Sequence, residues 1–223
     1  MDCCSYRSKA EVLMGLFLNR YPRIDSITTF FVILFALLPN SIFAQDSSSN
    51  LENQSGTTIG LSAVYSPNSF EAWGKIQNSR SFSLKGQFWY SEFQYENFTV
   101  RLGSEIIITQ HLKYPVNGID GPRDQRLGFG IIPANVLLPI GNGKVKPFTF
   151  FSAGLLFLND KLPAGDGASM NYLLNLGIGI EFKTSSQTGL QIGYNLQHLS
   201  NANSALLNPG IDYHNFFFTL ILQ

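Results

Sequence analysis

Between residues 58 and 222 the chain alternates apolar side chains with polar or small ones in run after run, and this period of two restricts its fold more than any other feature. Successive side chains of a β-strand point to opposite faces, so each run presents one apolar and one polar face. Ile59, Leu61, Ala63 and Tyr65 oppose Thr58, Gly60, Ser62 and Val64, and Phe82, Leu84, Phe88 and Tyr90 oppose Ser81, Ser83, Lys85, Gln87 and Ser91. Phe98, Val100, Leu102, Ile106 and Ile108 oppose Thr99, Arg101, Gly103, Glu105 and Thr109, and Leu127, Phe129 and Ile131 oppose Arg126, Gly128 and Gly130. A fifth run, residues 148–158, is apolar on both faces. Tyr172, Leu174, Leu176, Ile178, Ile180 and Phe182 then oppose Asn171, Asn175, Gly177, Gly179 and Glu181. Leu190, Ile192, Tyr194 and Leu196 oppose Gly189, Gln191, Gly193, Asn195 and Gln197, and Phe216, Phe218, Leu220 and Leu222 form the eighth run. Turn signals at Pro67-Asn68, Asn117-Gly118, Gly141-Asn142-Gly143, Pro163-Ala164-Gly165 and Ser185-Ser186 punctuate the runs. No internal repeat and no second domain is visible.

What precedes these runs points to export. The apolar stretch from Ile27 to Leu38 follows Arg20 and Arg23 and leads to Ser41-Ile42-Phe43-Ala44. Basic region, short apolar region and small residue are the order of a secretory signal, so residues 1–44 read as a signal peptide cut after Ala44. Its apolar part is shorter than the ~20 residues a spanning helix needs, and Pro39 interrupts it. Met14 is an alternative start to Met1. Cys3 and Cys4 both lie in this segment, leaving the expected mature chain without a disulfide, a thiol nucleophile or a cysteine metal site. Residues 45–56 are a polar N-terminal segment, and residues 57–223 hold the alternating runs.

Only 13% of residues are charged, against about 25% in ordinary soluble domains. Formal net charge is zero and the basic residues form no stripe, which argues against nucleic acid as a partner. An exported, charge-poor chain of eight alternating runs, with Phe, Leu, Ile and Tyr on one face, fits an all-β fold. The expectation is an eight-stranded antiparallel up-and-down transmembrane β-barrel of the outer membrane. Closed barrels and helices alone satisfy every backbone polar group in lipid. The polar face would then fill a narrow interior. A soluble barrel with its apolar face inward, carrying an apolar ligand, is the competing architecture.

The segment after the seventh run departs from simple alternation in its chemistry. Parity carries the apolar, lipid-facing side of that run on to His198 and Ser200, and places Asp212 and His214 on the same side of the eighth. Polar groups clustered on a lipid-facing wall are expensive and suggest function. The connection between them, residues 199–211, joins antiparallel neighbours and is expected outside the cell, near the outer leaflet, where a substrate would be a lipid. An imidazole beside a serine hydroxyl can take its proton, and a carboxylate can orient the ring. Asn201, Asn208 or backbone amides of the same connection could donate to an oxyanion. No metal ligand cluster is present and no cofactor is called for. His214 is a rival base, and His111 reads as structural.

His198-x-Ser200-Asn201-Ala202 followed by Asn208-Pro209-Gly210-Ile211-Asp212 and a final apolar strand resembles the lipid A 3-O-deacylases of the PagL type, grouped broadly as acyloxyacyl hydrolases. The detailed likeness covers the chain from Gln191 onward. The resemblance implies a general base at His198, a nucleophile at Ser200 and the triad acid at Asp212, with lipid A or lipopolysaccharide as substrate and the membrane as partner. That family's acid is typically Glu, and this chain has the shorter Asp. A non-catalytic small outer-membrane barrel with a structural or adhesion role remains open beside it.

Overall fold

The computed structural model describes residues 58–95 and 98–222. The expected signal peptide and the polar segment after it lie outside the described residues. Eight long antiparallel strands succeed one another around one sheet: β1 (Thr58–Ser66), β3 (Arg80–Tyr95), β4 (Phe98–Pro115), β5 (Arg123–Pro139), β6 (Val145–Leu162), β7 (Ala168–Lys183), β8 (Thr188–Ser200) and β9 (Ile211–Leu222). β1 also pairs with β9, from Ile59↔Leu222 to Tyr65↔Phe216, so the sheet closes. β2 (Ser69–Phe70) is a two-residue addition that lengthens the pairing along β9. Closure leaves no unpaired edge, the condition for crossing lipid with strands.

Side chains divide as the alternation requires. Leu61, Tyr90, Ile108, Phe129, Ile178 and Phe216 are exposed on the outer wall, while Lys85, Gln87, Arg101, Glu105, Glu181 and Gln191 are buried inside. Apolar residues outward and ionised residues inward is the reverse of a soluble carrier barrel, and matches a barrel whose solvent is lipid. The inner charges compensate one another. Glu105 takes Lys85 Nζ at 3.3 Å on one oxygen, and Asn135 Nδ2 at 2.5 Å and Gln87 Nε2 at 3.3 Å on the other. Arg101 bonds Glu181 and Glu92, each at 2.6 Å, and Gln191 Nε2 adds a bond to Glu181 at 2.8 Å.

The interior departs from expectation in its other half. Ile107, Leu112, Tyr114, Ile132, Leu173 and Tyr213 pack there with Leu199 and Ile211 into an apolar core. Two changes of parity help to create it. β4 carries one extra residue between the pairs Ile107↔Gly130 and Gln110↔Gly128. Thr109, expected on the face of Glu105, therefore sits in a bulge, and Gln110, Leu112 and Tyr114 turn inward in its place. β5 does the same between Ile131 and Ala134, at Pro133, which has no N–H to lose from the ladder. Side chains that meet only each other inside a narrow lumen are stabilised by being apolar.

The core end of the barrel carries the three longest connections among the described residues. Residues 67–79 (loop 1, which includes β2), 116–122 (loop 2), 163–167 and 201–210 lie there, against 140–144 and 184–187 at the other end. Strand β8 runs through Ser200, so Leu199 and Ser200 belong to the strand with His198 rather than to the connection expected from residue 199.

Glu105→Ala removes the acceptor for one cation and two amides in the buried interior. A buried charge left without its partner costs roughly 3–5 kcal/mol. Urea unfolding of the vesicle-inserted barrel should show a loss on that scale, and Glu105→Gln a smaller one.

Candidate active site

Antiparallel register sets His198 directly opposite Asp212 on neighbouring strands. Both follow the outward parity, and directly opposed Cβ atoms lie only about 4.5–5.5 Å apart. That separation suits a short carboxylate and an imidazole: His198 Nδ1 lies 2.6 Å from Asp212 Oδ1. With the Nδ1–H donated to the carboxylate, Nε2 keeps its lone pair and can accept a proton.

The second carboxylate oxygen is held from elsewhere. Backbone N–H groups of Ala72, Trp73 and Gly74, all in loop 1, donate to Asp212 Oδ2 at 3.1, 2.7 and 2.5 Å. Successive amides turned toward one point form an anion-binding concavity, and four donors on one carboxylate suit its ionised form. Loop 1 thereby covers a residue that strand parity alone would leave facing lipid, and the Asp212 side chain is only 4% exposed.

Glycine allows that approach. Gly74 lies on the backbone of Gly210 and Ile211, where a Cβ would sit 2.6 Å from Ile211 N and 2.7 Å from the Gly210 carbonyl carbon. Gly210 itself has φ +64°, and a Cβ there would be 3.2 Å from both Gly74 Cα and His198 Cε1. Lys75 N donates to Pro209 O at 2.7 Å and Ile76 N to Gly210 O at 3.2 Å, fixing the crossing. Ile76 then enters the internal apolar core. Trp73 remains on the other side, 67% exposed, its ring edge-on to His198 with centroids 5.7 Å apart.

Ser200 follows His198 by two on the same strand face and pairs with Tyr172 of β7. Among the described residues its hydroxyl makes no hydrogen bond. Asn201 and Asn208 brace the 201–210 connection. Asn208 Oδ1 accepts Asn201 N at 2.9 Å, Asn201 Nδ2 donates to Leu207 O at 2.8 Å, and Asn208 Nδ2 donates to Asn203 Oδ1 at 3.2 Å. His214, the rival base, bonds through Nδ1 to the Tyr194 hydroxyl, and its ring rests 4.0 Å from that of Phe70. Both Asp212 oxygens are engaged elsewhere, so His214 gains no orienting acid. His111 lies on β4 and shares a 3.3 Å contact with Gln125.

A family model described as lipid A 3-O-deacylase (PagL) matches residues 57–220. The chain belongs to the PagL family. Its barrel is similar to the crystal structure of the outer membrane enzyme PagL, with a TM-score of 0.55 and 15% identity over 72% of this chain and 97% of that one. It is also similar to Neisserial surface protein A, at 0.50 and 12% over 75% and 97%. At such identities these likenesses speak for the outer-membrane barrel fold. Among curated proteins, none matches the chain.

In this PagL-family barrel the structure brings together His198 and Asp212 from the motif, and Ser200 lies two residues beyond His198 on the same strand. What sequence reasoning missed is loop 1. Its contribution is made by backbone amides, which leave no side-chain signature. The one signal that could have pointed there is Trp73-Gly74, a large aromatic next to a glycine in a connection otherwise expected to be polar. Asn208→Ala should release the Asn201 amide, costing about 1 kcal/mol. Hydrogen exchange at Asn201 N–H should quicken accordingly while exchange in β8 below His198 stays slow.

Proposed function

We propose that this chain hydrolyses the ester that joins a 3-hydroxyacyl chain to the 3 position of lipid A, acting as a serine esterase in the outer membrane. The observation that carries this reading is the His198–Asp212 bond of 2.6 Å, made between directly opposed strand residues within a PagL-family barrel, two residues along the strand from Ser200.

Ser200 is the nucleophile, His198 the general base and Asp212 the acid that orients it. As Ser200 Oγ bonds to the ester carbonyl carbon, its proton passes to His198 Nε2. The tetrahedral intermediate collapses by breaking the bond to the sugar oxygen, which takes the proton from His198. Water activated by the same imidazole then cleaves the acyl-serine and releases the 3-hydroxy fatty acid. Asp212 supports the imidazolium that forms in each half-reaction. Each amide nitrogen of Asn201 and Asn208 carries two hydrogens, and one of each is committed to the loop brace. Asn201 is buried, so the free hydrogen of Asn208 is the better-placed candidate donor to the oxyanion, worth ~10²–10³ in rate where such a donor is lost.

An exported chain with a periplasmic N-terminus would place loop 1 and residues 201–210 outside, at the level of the outer leaflet. Lipopolysaccharide would then reach Ser200 by lateral diffusion, its acyl chains lying along the apolar wall below His198. No cofactor takes part in this sequence of steps.

Purified protein mixed with lipid A should release one hydroxy fatty acid, seen by mass spectrometry as a single defined loss. Ser200→Ala and His198→Ala should each lower the rate by about 10³-fold or more, the scale set by removal of a triad member. Lipid A left intact by the folded wild-type barrel, in detergent and in membranes alike, would overturn the reading and leave a non-catalytic barrel.

A further inference from the structure

The amides that hold Asp212 have a consequence for which acid can serve at this position. His198 and Asp212 face each other across the strand pair, and the aspartate reaches Nδ1 with one oxygen while its other oxygen already touches loop 1. No slack is left between the ring and the loop. Three amides converge on Oδ2 from residues 72–74, and the backbone behind them is fixed on both sides.

On the barrel side, β2 pairs with β9 at Ser69↔Tyr213 and Phe70↔Asp212, and Ile76 forms a parallel bridge with Ile211. Gly74 is already in backbone contact with Gly210 and Ile211. On the outer side, loop 2 clamps the far end of loop 1: Gln77 N donates to Gly118 O at 2.8 Å and Asn78 Nδ2 to Ile119 O at 2.8 Å. The Arg123 guanidinium adds a bond to Asn78 O. A loop held this way has no room to retreat from a longer side chain. One more methylene would carry the carboxylate about 1.5 Å further, the length of a carbon–carbon bond.

We propose that residues 72–74 form a backbone cradle matched to aspartate, that Gly74 is a positioning residue for the triad, and that the acid at 212 and the glycine at 74 are coupled. The proposal rests on the assignment of Ser200, His198 and Asp212 as the catalytic groups. A glutamate at 212 would either press into the cradle or turn away from His198, and in both cases the imidazole loses its aim. Asp212 is accordingly the acid this loop requires, not a weakened stand-in for a longer one.

The test compares Asp212→Glu, Asp212→Asn, Gly74→Ala and the Asp212→Asn/Gly74→Ala double variant in the full chain, each first checked for heat-modifiable migration as a folded barrel. Asp212→Glu should lower kcat by on the order of 10–100-fold with little change in KM, since a misplacement near 1 Å can cost that much. Gly74→Ala should lower kcat about tenfold or more beside Asp212, and less than about twofold in the Asp212→Asn background, where the cradle no longer acts through a carboxylate. Wild-type kcat in Asp212→Glu, or equal losses from Gly74→Ala in the two backgrounds, would overturn the proposal. If Gly74→Ala does not fold, Asp212→Glu decides alone.

A second readout is independent of turnover. The chain has only 3 histidines, so the His198 Nδ1–H signal can be assigned in a ¹⁵N-histidine sample. It should shift or vanish in Asp212→Glu and in folded Gly74→Ala. A wild type inactive on lipid A with that shift present refutes the catalytic reading and retains the cradle; an unmoved signal refutes the cradle itself.

Discussion

Closure of β1 onto β9 is the constraint from which the remainder follows. In lipid an unpaired row of N–H and C=O groups is too costly to keep, so the sheet must join its own edge. Once it does, every strand has an inside and an outside, and position parity decides which side chain meets lipid. Parity therefore governs chemistry as well as packing. The even positions that place Ile192, Tyr194 and Leu196 on the outer wall continue through His198 and Ser200, and those of β9 continue back through Asp212. A carboxylate and an imidazole become neighbours because two antiparallel strands share one register.

The same geometry creates a difficulty that loop 1 resolves. An ionised carboxylate on a lipid-facing wall is unfavourable unless it is paired and hydrogen-bonded. Here the imidazole takes one oxygen and three amides take the other, so the charge is compensated without a second basic side chain. Loop 1 crosses the rim to do this, anchored inside by Ile76 and pressed at Gly74 against Gly210. The apolar core at that end of the lumen is thus part of the site's support: Leu199 and Ile211, the sequence neighbours of His198, Ser200 and Asp212, belong to it.

Much of this is legible in the order of residues alone. The eight runs, the direction of their faces and the placing of His198, Ser200 and Asp212 on one side all follow from period two, because a half-lipid, half-protein environment forces a clean alternation. Legibility fails where parity itself changes, at the bulges near Thr109 and Pro133, since an added residue has no marker in composition. It fails again for the lumen, where Leu173 and Leu199 occupy nominally polar positions next to one another rather than water. Loop 1 is opaque for a further reason. What it supplies is N–H groups, which every residue but proline carries, and their aim is set by contacts far apart in the chain.

That origin also bears on how the site divides its labour. Ser200 and His198 ride on a strand whose position is fixed by ladders to β7 and β9, while the acid is fixed twice, by its strand and by a loop from the opposite end of the sequence. A rigid wall suits the proposed nucleophile, which would meet a substrate arriving along the membrane plane. A covered carboxylate suits the role proposed for Asp212, to hold a ring still and to stay out of contact with lipid. Trp73 lies between the two regimes, its edge on the imidazole and most of its surface open. The wall is therefore exposed where the proposed chemistry would need access and closed where it would need order, and a crossing of two glycines, Gly74 over Gly210, separates one from the other.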